Sequence, residues 1–231
     1  MSVPQLPLAM RWPPQQRFDT FHVGDNGPAL DLVRRAAIGV DAAWVYVSGA
    51  AASGKTHLLI AACAAASANA RRAQYLSLRR LREGGAASVR ALGGSDLLAL
   101  DDLDAIAGCG EAEHALFDLY NRGKVEKCTF LFAAARPPTA LGAGLPDLAS
   151  RLAACAQASL KPLDDAARRT VLRERAAARG IELEEPALDW LFARTERDLA
   201  SLTALLDRLD RESLAAKRRV TVPFLRKLLA S

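Results

Sequence analysis

Gly49-Ala50-Ala51-Ala52-Ser53-Gly54-Lys55-Thr56 fits the spacing G-x-x-x-x-G-K-[ST] in full. In such a loop successive backbone N–H groups converge on a phosphate, and the following helix presents the positive end of its dipole to the same anion. Lys55 would meet the outer phosphates and the Thr56 hydroxyl would hold Mg²⁺. Asp101 and Asp102 close the apolar run Leu97-Leu98-Ala99-Leu100. At a strand's C-terminal end, Asp101 can reach the metal through water and Asp102 can orient an attacking water as a general base.

Those residues need elements to hold them. Ala43 to Val47, rich in β-branched and aromatic residues, predicts a strand before the loop, and Thr56 to Ala62 predicts a helix after it. Further strands are expected at Gln74–Leu78, Asp96–Asp101 and Cys128–Ala133, with a helix from about Glu111 to Lys124 carrying Ala115, Leu116, Leu119 and Tyr120 on one face. Alternating strands and helices imply a parallel sheet covered on both sides. Beyond Pro162 the pattern turns wholly helical. Asp164 can cap a helix ending at Gly180, Pro186 opens a second, a third carries Leu199, Leu202, Leu206 and Leu209, and a last one starts near Pro223. Pro4, Pro7, Pro13 and Pro14 punctuate the start. The expected domains are therefore an extended tail at 1–17, an α/β domain at 18–162 and a small helical domain at 163–231.

Composition narrows the function classes. Half the residues are hydrophobic (51%), enough for a sizeable core, and 31 basic against 26 acidic residues leave a net charge of +5 that is mostly mixed-sign surface. Arg71-Arg72, Arg79-Arg80-Leu81-Arg82 and Lys217-Arg218-Arg219 could contact phosphates, but runs this short are more often solvated faces, and that reading is preferred. Cys63, Cys109, Cys128 and Cys155 form no C-x-x-C pair, and His22, His57 and His114 lack metal-ligand spacing, so neither a zinc site nor a disulfide framework is indicated. With no apolar stretch of bilayer length and no leader-like start, a soluble cytoplasmic protein with buried reduced thiols is expected.

A loop ending Gly-Lys-Thr-His, an Asp-Asp strand end and a helical lid together resemble the AAA+ family. Within it, Phe18 to Gly24 is similar to the segment with which the replication initiator DnaA encloses adenine. Phe132 to Pro138 resembles its sensor-1 strand and turn, Leu145 to Leu152 the helix carrying its arginine finger, and Glu196-Arg197-Asp198-Leu199 the start of its sensor-2 helix. No counterpart of DnaA's own DNA-reading and partner-binding domains is expected in this sequence. Gln5-Leu6-Pro7-Leu8-Ala9-Met10 instead resembles the extended peptide by which many proteins dock on the β sliding clamp of DNA polymerase III, a glutamine amide and spaced apolar side chains being what such a groove takes. The combination is most similar to the Hda family of regulatory DnaA inactivators.

The resemblance implies a nucleotide-bound adaptor, holding ADP or ATP with Mg²⁺, that docks on the DNA-loaded clamp through Gln5, Leu6, Leu8 and Met10 and stimulates hydrolysis of DnaA-bound ATP. DNA would be reached only through the clamp, no membrane is involved, and a homo-oligomer is left open. Arg151 would be the finger delivered in trans from an exposed face. Phe21, Val23, Gly49 to Thr56, His57 and Arg197 would contact nucleotide, with Arg197 reporting its state to the lid, and Thr56 and Asp101 would hold the metal. Two residues depart from the pattern. Ala52 stands where related loops often use glycine, and Ala135 stands where sensor-1 segments usually carry a polar side chain. Both fit an adaptor better than a motor, though Lys55, Thr56, Asp101 and Asp102 keep open an ATP-driven helicase loader or transposition accessory ATPase resembling DnaC or IstB.

Overall fold

The computed structural model describes residues 12–40, 43–80, 89 and 92–194. Five strands, β1 (Val45–Gly49), β2 (Ala73–Ser77), β3 (Leu97–Asp101), β4 (Thr129–Ala134) and β5 (Ala156–Leu160), form one sheet in the order β2-β3-β4-β1-β5. Every pairing is parallel. The described helices are α1 (Gly27–Ile38), α2 (Lys55–Ala68), α3 (Gly110–Val125), α4 (Pro146–Ala153), α5 (Asp165–Ala177) and α6 (Glu185–Arg194).

Side chains alternate across the sheet, so each strand feeds two cores. Val45, Val47, Leu97, Ala99, Leu131 and Ala133 pack with α1 and α2 on one face. Tyr46, Leu98, Leu100, Phe130 and Phe132 pack with α3 and α4 on the other. Helix α2 is buried on almost every side, from His57 through Ala66, which explains the unbroken apolar run from Leu58 to Ala66. Gly123 on α3 is there for space: a Cβ would lie 2.1 Å from the Phe130 ring.

Contacts divide the chain into two compact units, Met1–Ala50 with Gly54–Lys161, and Ala51–Ser53 with Pro162–Ser231. In the second, α5 and α6 bury Leu172, Ala176, Leu188, Leu191 and Phe192 between them. Asp164 caps α5 as expected, its carboxylate accepting the Ala167 N–H at 2.7 Å. The third and fourth lid helices fall at positions outside the described residues.

Several expectations need adjustment. Helix α1 and strand β5 carry no counterpart in the pattern reading above; β5 is Ala-Gln-Ala-Ser-Leu, an edge strand whose polar residues hide its alternation. Within residues 12–17, expected in an extended tail, the chain turns at 14–15, with the Gln16 N–H donating to the Pro13 carbonyl at 3.0 Å. Trp12 packs on the α1–α2 core and its indole N–H donates to Ser67 Oγ at 2.9 Å. Of the four cysteines, all unpaired in disulfides, Cys109 is exposed and only three are buried. Burial pushes the Cys63 and Cys128 thiols up to about 12 and Cys155 to about 11, which makes them unreactive.

The basic clusters divide. Arg71 is a structural hub whose guanidinium donates to the carbonyls of Ala36, Ala37 and Asp96 and to Thr129 Oγ1. Arg72 pairs with Asp96, whose carboxyl this contact holds below its usual range. Arg79 pairs with Asp102. Lys217, Arg218 and Arg219 lie outside the described residues.

Candidate functional site

The Gly49–Thr56 loop leaves the C-terminal end of β1, between β4 and β5, and turns into α2. Crevices at such strand ends are where open parallel sheets bind ligands. Gly54 adopts φ +100°, and a Cβ there would lie 2.7 Å from the Phe21 ring, so only glycine fits both the turn and the ring above it. Ala52 has φ +59°, the left-handed region, without glycine's freedom. Such a backbone costs a non-glycine residue about 1–2 kcal/mol. Ala52→Gly is therefore expected to stabilise the protein by up to about 1 kcal/mol once glycine's own entropy is offset, read as a higher urea midpoint.

Lys55 curls back into the loop, its ammonium donating to the carbonyls of Gly49 at 2.7 Å and Ala50 at 2.8 Å. Burial pushes its pKa below the ordinary lysine value, against the opposing pull of Asp101, Asp104 and Asp102. Thr56 Oγ1 donates to Asp101 Oδ2 at 2.6 Å. The hydroxyl and carboxylate expected to share a metal are thus already side by side, and this oxygen pair suits the hard Mg²⁺ ion. Asp101 is 1% exposed; its Oδ2 also accepts the Tyr75 hydroxyl at 3.0 Å. Burial, then the charge of Asp101, pushes the Tyr75 phenol well above its ordinary value.

Asp102 takes a different posture. It sits at φ +59°, where Ser77 Oγ donates to Oδ2 at 2.6 Å and Arg79 approaches Oδ1 at 3.3 Å. Both of its oxygens are engaged from the β2 edge.

Around the loop, Phe21 is buried and meets His57 edge-on, ring centroids 5.4 Å apart, while the His57 Nε2 lies 2.8 Å from the Arg17 carbonyl. Phe21 and His57 are brought together with the loop; Val23 is 37% exposed. Arg197 and the four residues Gln5, Leu6, Leu8 and Met10 lie outside the described residues.

At the end of β4, the polar role missing from Ala135 has a neighbour not singled out above. Asp104 Oδ2 accepts the Ala135 N–H at 2.6 Å and its Oδ1 lies 3.5 Å from Arg136 Nε. The Tyr46 hydroxyl donates to the Arg136 carbonyl at 2.9 Å. The run Asp101-Asp102-Leu103-Asp104 held the clue, a third carboxylate just past the strand end.

Arg151 lies near the end of α4, whose Pro146 occupies the first turn. Its guanidinium carbon stands 4.7 Å from the Phe117 ring centroid and 5.2 Å from that of Tyr120. It is partly buried rather than fully exposed, and among the described residues no carboxylate pairs with it. Two aromatic faces hold a cation by quadrupole attraction and leave its N–H edges available.

The loop before α4 is fixed by another residue the pattern reading missed. Glu113 is 1% exposed and accepts backbone N–H groups from Gly108 (2.7 Å), Gly144 (2.9 Å) and Leu145 (2.8 Å).

Domain III of the Thermotoga maritima replication initiation protein DnaA matches with a TM-score of 0.74 at 22% identity, over 95% of this chain and 98% of that one. AMPPCP-bound DnaA from Aquifex aeolicus matches with a TM-score of 0.67 at 21% identity, over 89% and 67%. The Thermotoga maritima RuvB Holliday junction branch migration motor matches with a TM-score of 0.65 at 18% identity, over 93% and 71%. These likenesses show a parallel-sheet fold that the chain shares with DnaA domain III and with the RuvB motor. The family model of the Hda lid domain matches residues 165–229. The chain thus carries a stretch at 165–229 similar to the Hda lid domain and, before it, a core with the fold of DnaA domain III.

Proposed function

We propose that this protein is a negative regulator of replication initiation: a nucleotide-bound adaptor that docks on the DNA-loaded β sliding clamp and stimulates hydrolysis of ATP held by DnaA. The observation that carries the reading is the Hda-type lid, matched over 165–229, on a core of DnaA-like fold. AAA+ relatives with a bound ATP analogue support nucleotide in the Gly49–Thr56 loop. In that role the loop's N–H groups and the start of α2 bind phosphate, Lys55 leaves its two carbonyls for the outer phosphates, and Phe21 with His57 shields the base. Mg²⁺, held by Thr56 and through water by Asp101, would neutralise phosphate charge when bound.

The chain's own hydrolysis is the weaker capacity. Asp102 would have to leave Ser77 and Arg79 before it could orient water, and Ala135 brings no polar side chain to that water. Arg151, by contrast, is a cation without an acidic partner among the described residues, suited to approach a phosphate on another molecule. The intact Lys55, Thr56 and Asp101 set favours a second reading, an ATP-driven loader, which separates from the first by turnover in the absence of partners.

Clamp docking has its own test. Replacing Gln5 and Leu6 by alanine is expected to abolish retention of the chain by immobilised clamp while leaving nucleotide content unchanged; undiminished retention would reject that role for the peptide.

A further inference from the structure

At the other end of the sheet from the Gly49–Thr56 loop, the segments entering β1, β4 and β5 surround an open cavity of about 460 Å³. Its floor is apolar. Trp44 is half-buried there, edge-on to Tyr120 with centroids 4.3 Å apart and 4.5 Å from Phe130. Cys128, Cys155 and Ala154 complete the walls, and Lys124 and Lys127 stand exposed at the rim. Lys124 Nζ lies 5.5 Å over the Tyr120 ring.

Among the described residues no acid lines this cavity. The nearest in sequence, Glu126, is turned to Arg122 at 3.9 Å and to the Gly94 N–H at 3.3 Å. Both rim lysines therefore project positive charge over an aromatic hollow. Val125, between them in sequence, is 84% exposed, an apolar side chain left in water beside the rim. A hollow of this kind is complementary to an aromatic or long aliphatic side chain flanked by carboxylates.

Position says which molecule brings it. Tyr120 is at once a wall of the cavity and one of the two rings under Arg151, and the wall residues Ala154 and Cys155 follow shortly after Arg151 in the chain. Any partner that receives the Arg151 guanidinium covers this ground as well. We propose that the Trp44–Tyr120 cavity is a docking socket for an acidic segment with an apolar anchor, presented by the same ATP-bound protein that Arg151 engages. The socket rests on the adaptor reading and supplies affinity and register, whereas Arg151 supplies rate.

The two contributions separate kinetically. In a reaction of ATP-loaded DnaA with DNA-loaded clamp and the full chain, Lys124→Glu combined with Lys127→Glu is expected to raise the half-saturating DnaA concentration about tenfold and leave the maximal rate unchanged. Ala154→Leu, an exposed change that narrows the hollow without altering charge, is expected to raise it as well. Both lysines and Ala154 are at the surface, so the variants should keep the wild-type melting temperature. A wild-type half-saturating concentration in either variant overturns the socket, and if Arg151→Ala still loses rate in the same assay, the adaptor reading survives that failure. If the lysine variants change only the chain's retention on clamp-free DNA, the lysines contact nucleic acid and the proposal is equally overturned. An Arg151→Ala variant with full rate would instead remove the adaptor reading beneath it.

Discussion

Replacing Arg151 by alanine is expected to lower the rate of DnaA-bound ATP hydrolysis in the presence of DNA-loaded clamp by about 10³-fold, within the range by which arginine fingers act. The size of that loss decides between two roles. A cation near the C-terminus of an exposed helix contributes only about 0.3–1 kcal/mol through the helix dipole, and its stacking on an aromatic face about as much again. Losing both would lower the stability of the chain slightly and would not touch a partner's chemistry. The guanidinium is held by the faces of Phe117 and Tyr120 and by no carboxylate among the described residues. It can therefore leave its perch without breaking an ion pair. Arg151→Lys is expected to recover little, because a point charge cannot reproduce the planar fork that spans two phosphate oxygens.

Glu113→Ala is expected to cost the fold about 3 kcal/mol by urea denaturation. Its carboxylate takes three backbone N–H groups at 2.7–2.9 Å from two separate loops, those before α3 and α4. Hydrogen bonds to a charged group are worth about 1.5–3 kcal/mol each, but they do not add, and the loops it ties are themselves partly open to water. Against a typical domain stability of about 5–15 kcal/mol the loss is large. Because Gly144 and Leu145 lead directly into α4, the same change frees the helix that carries Arg151, and stimulation is expected to fall even below the unfolding temperature. Glu113→Gln, which keeps acceptor capacity on one oxygen, should fall between the two. A stability equal to wild type in Glu113→Ala would mean that the three N–H groups find other acceptors.

Much of this was readable from residue order alone, for definite reasons. Strands buried on both faces carry unbroken apolar runs, such as Leu97 to Leu100 and Phe130 to Ala134, and the phosphate-type loop has a fixed spacing. Thr56 and Asp101, 45 positions apart, could be paired because each belongs to a motif whose position in a parallel sheet is known. What stayed hidden depends on context that no local pattern carries. Strand β5 alternates alanine and leucine with glutamine and serine, too weak a signal without its neighbour β1. Glu113 is an acid in the first turn of α3, where charge complementarity with the helix end accounts for it; only the fold brings Gly144 and Leu145 to it. Arg71, in a basic pair that looked solvated, proved to be a clasp between α1, β3 and β4. The left-handed backbone of Ala52 was anticipated as a missing glycine, and the loop takes that turn nonetheless.

The central claim is that the nucleotide hydrolysed belongs to the partner and not to this chain. It is tested most directly by following labelled phosphate release with the label placed on one protein at a time. With the label on ATP bound to DnaA, addition of the chain and DNA-loaded clamp is expected to accelerate release, while label carried in by the chain itself stays unhydrolysed over the same interval. Rapid release from the chain's own labelled ATP, with no acceleration on DnaA, would contradict the account and identify a motor.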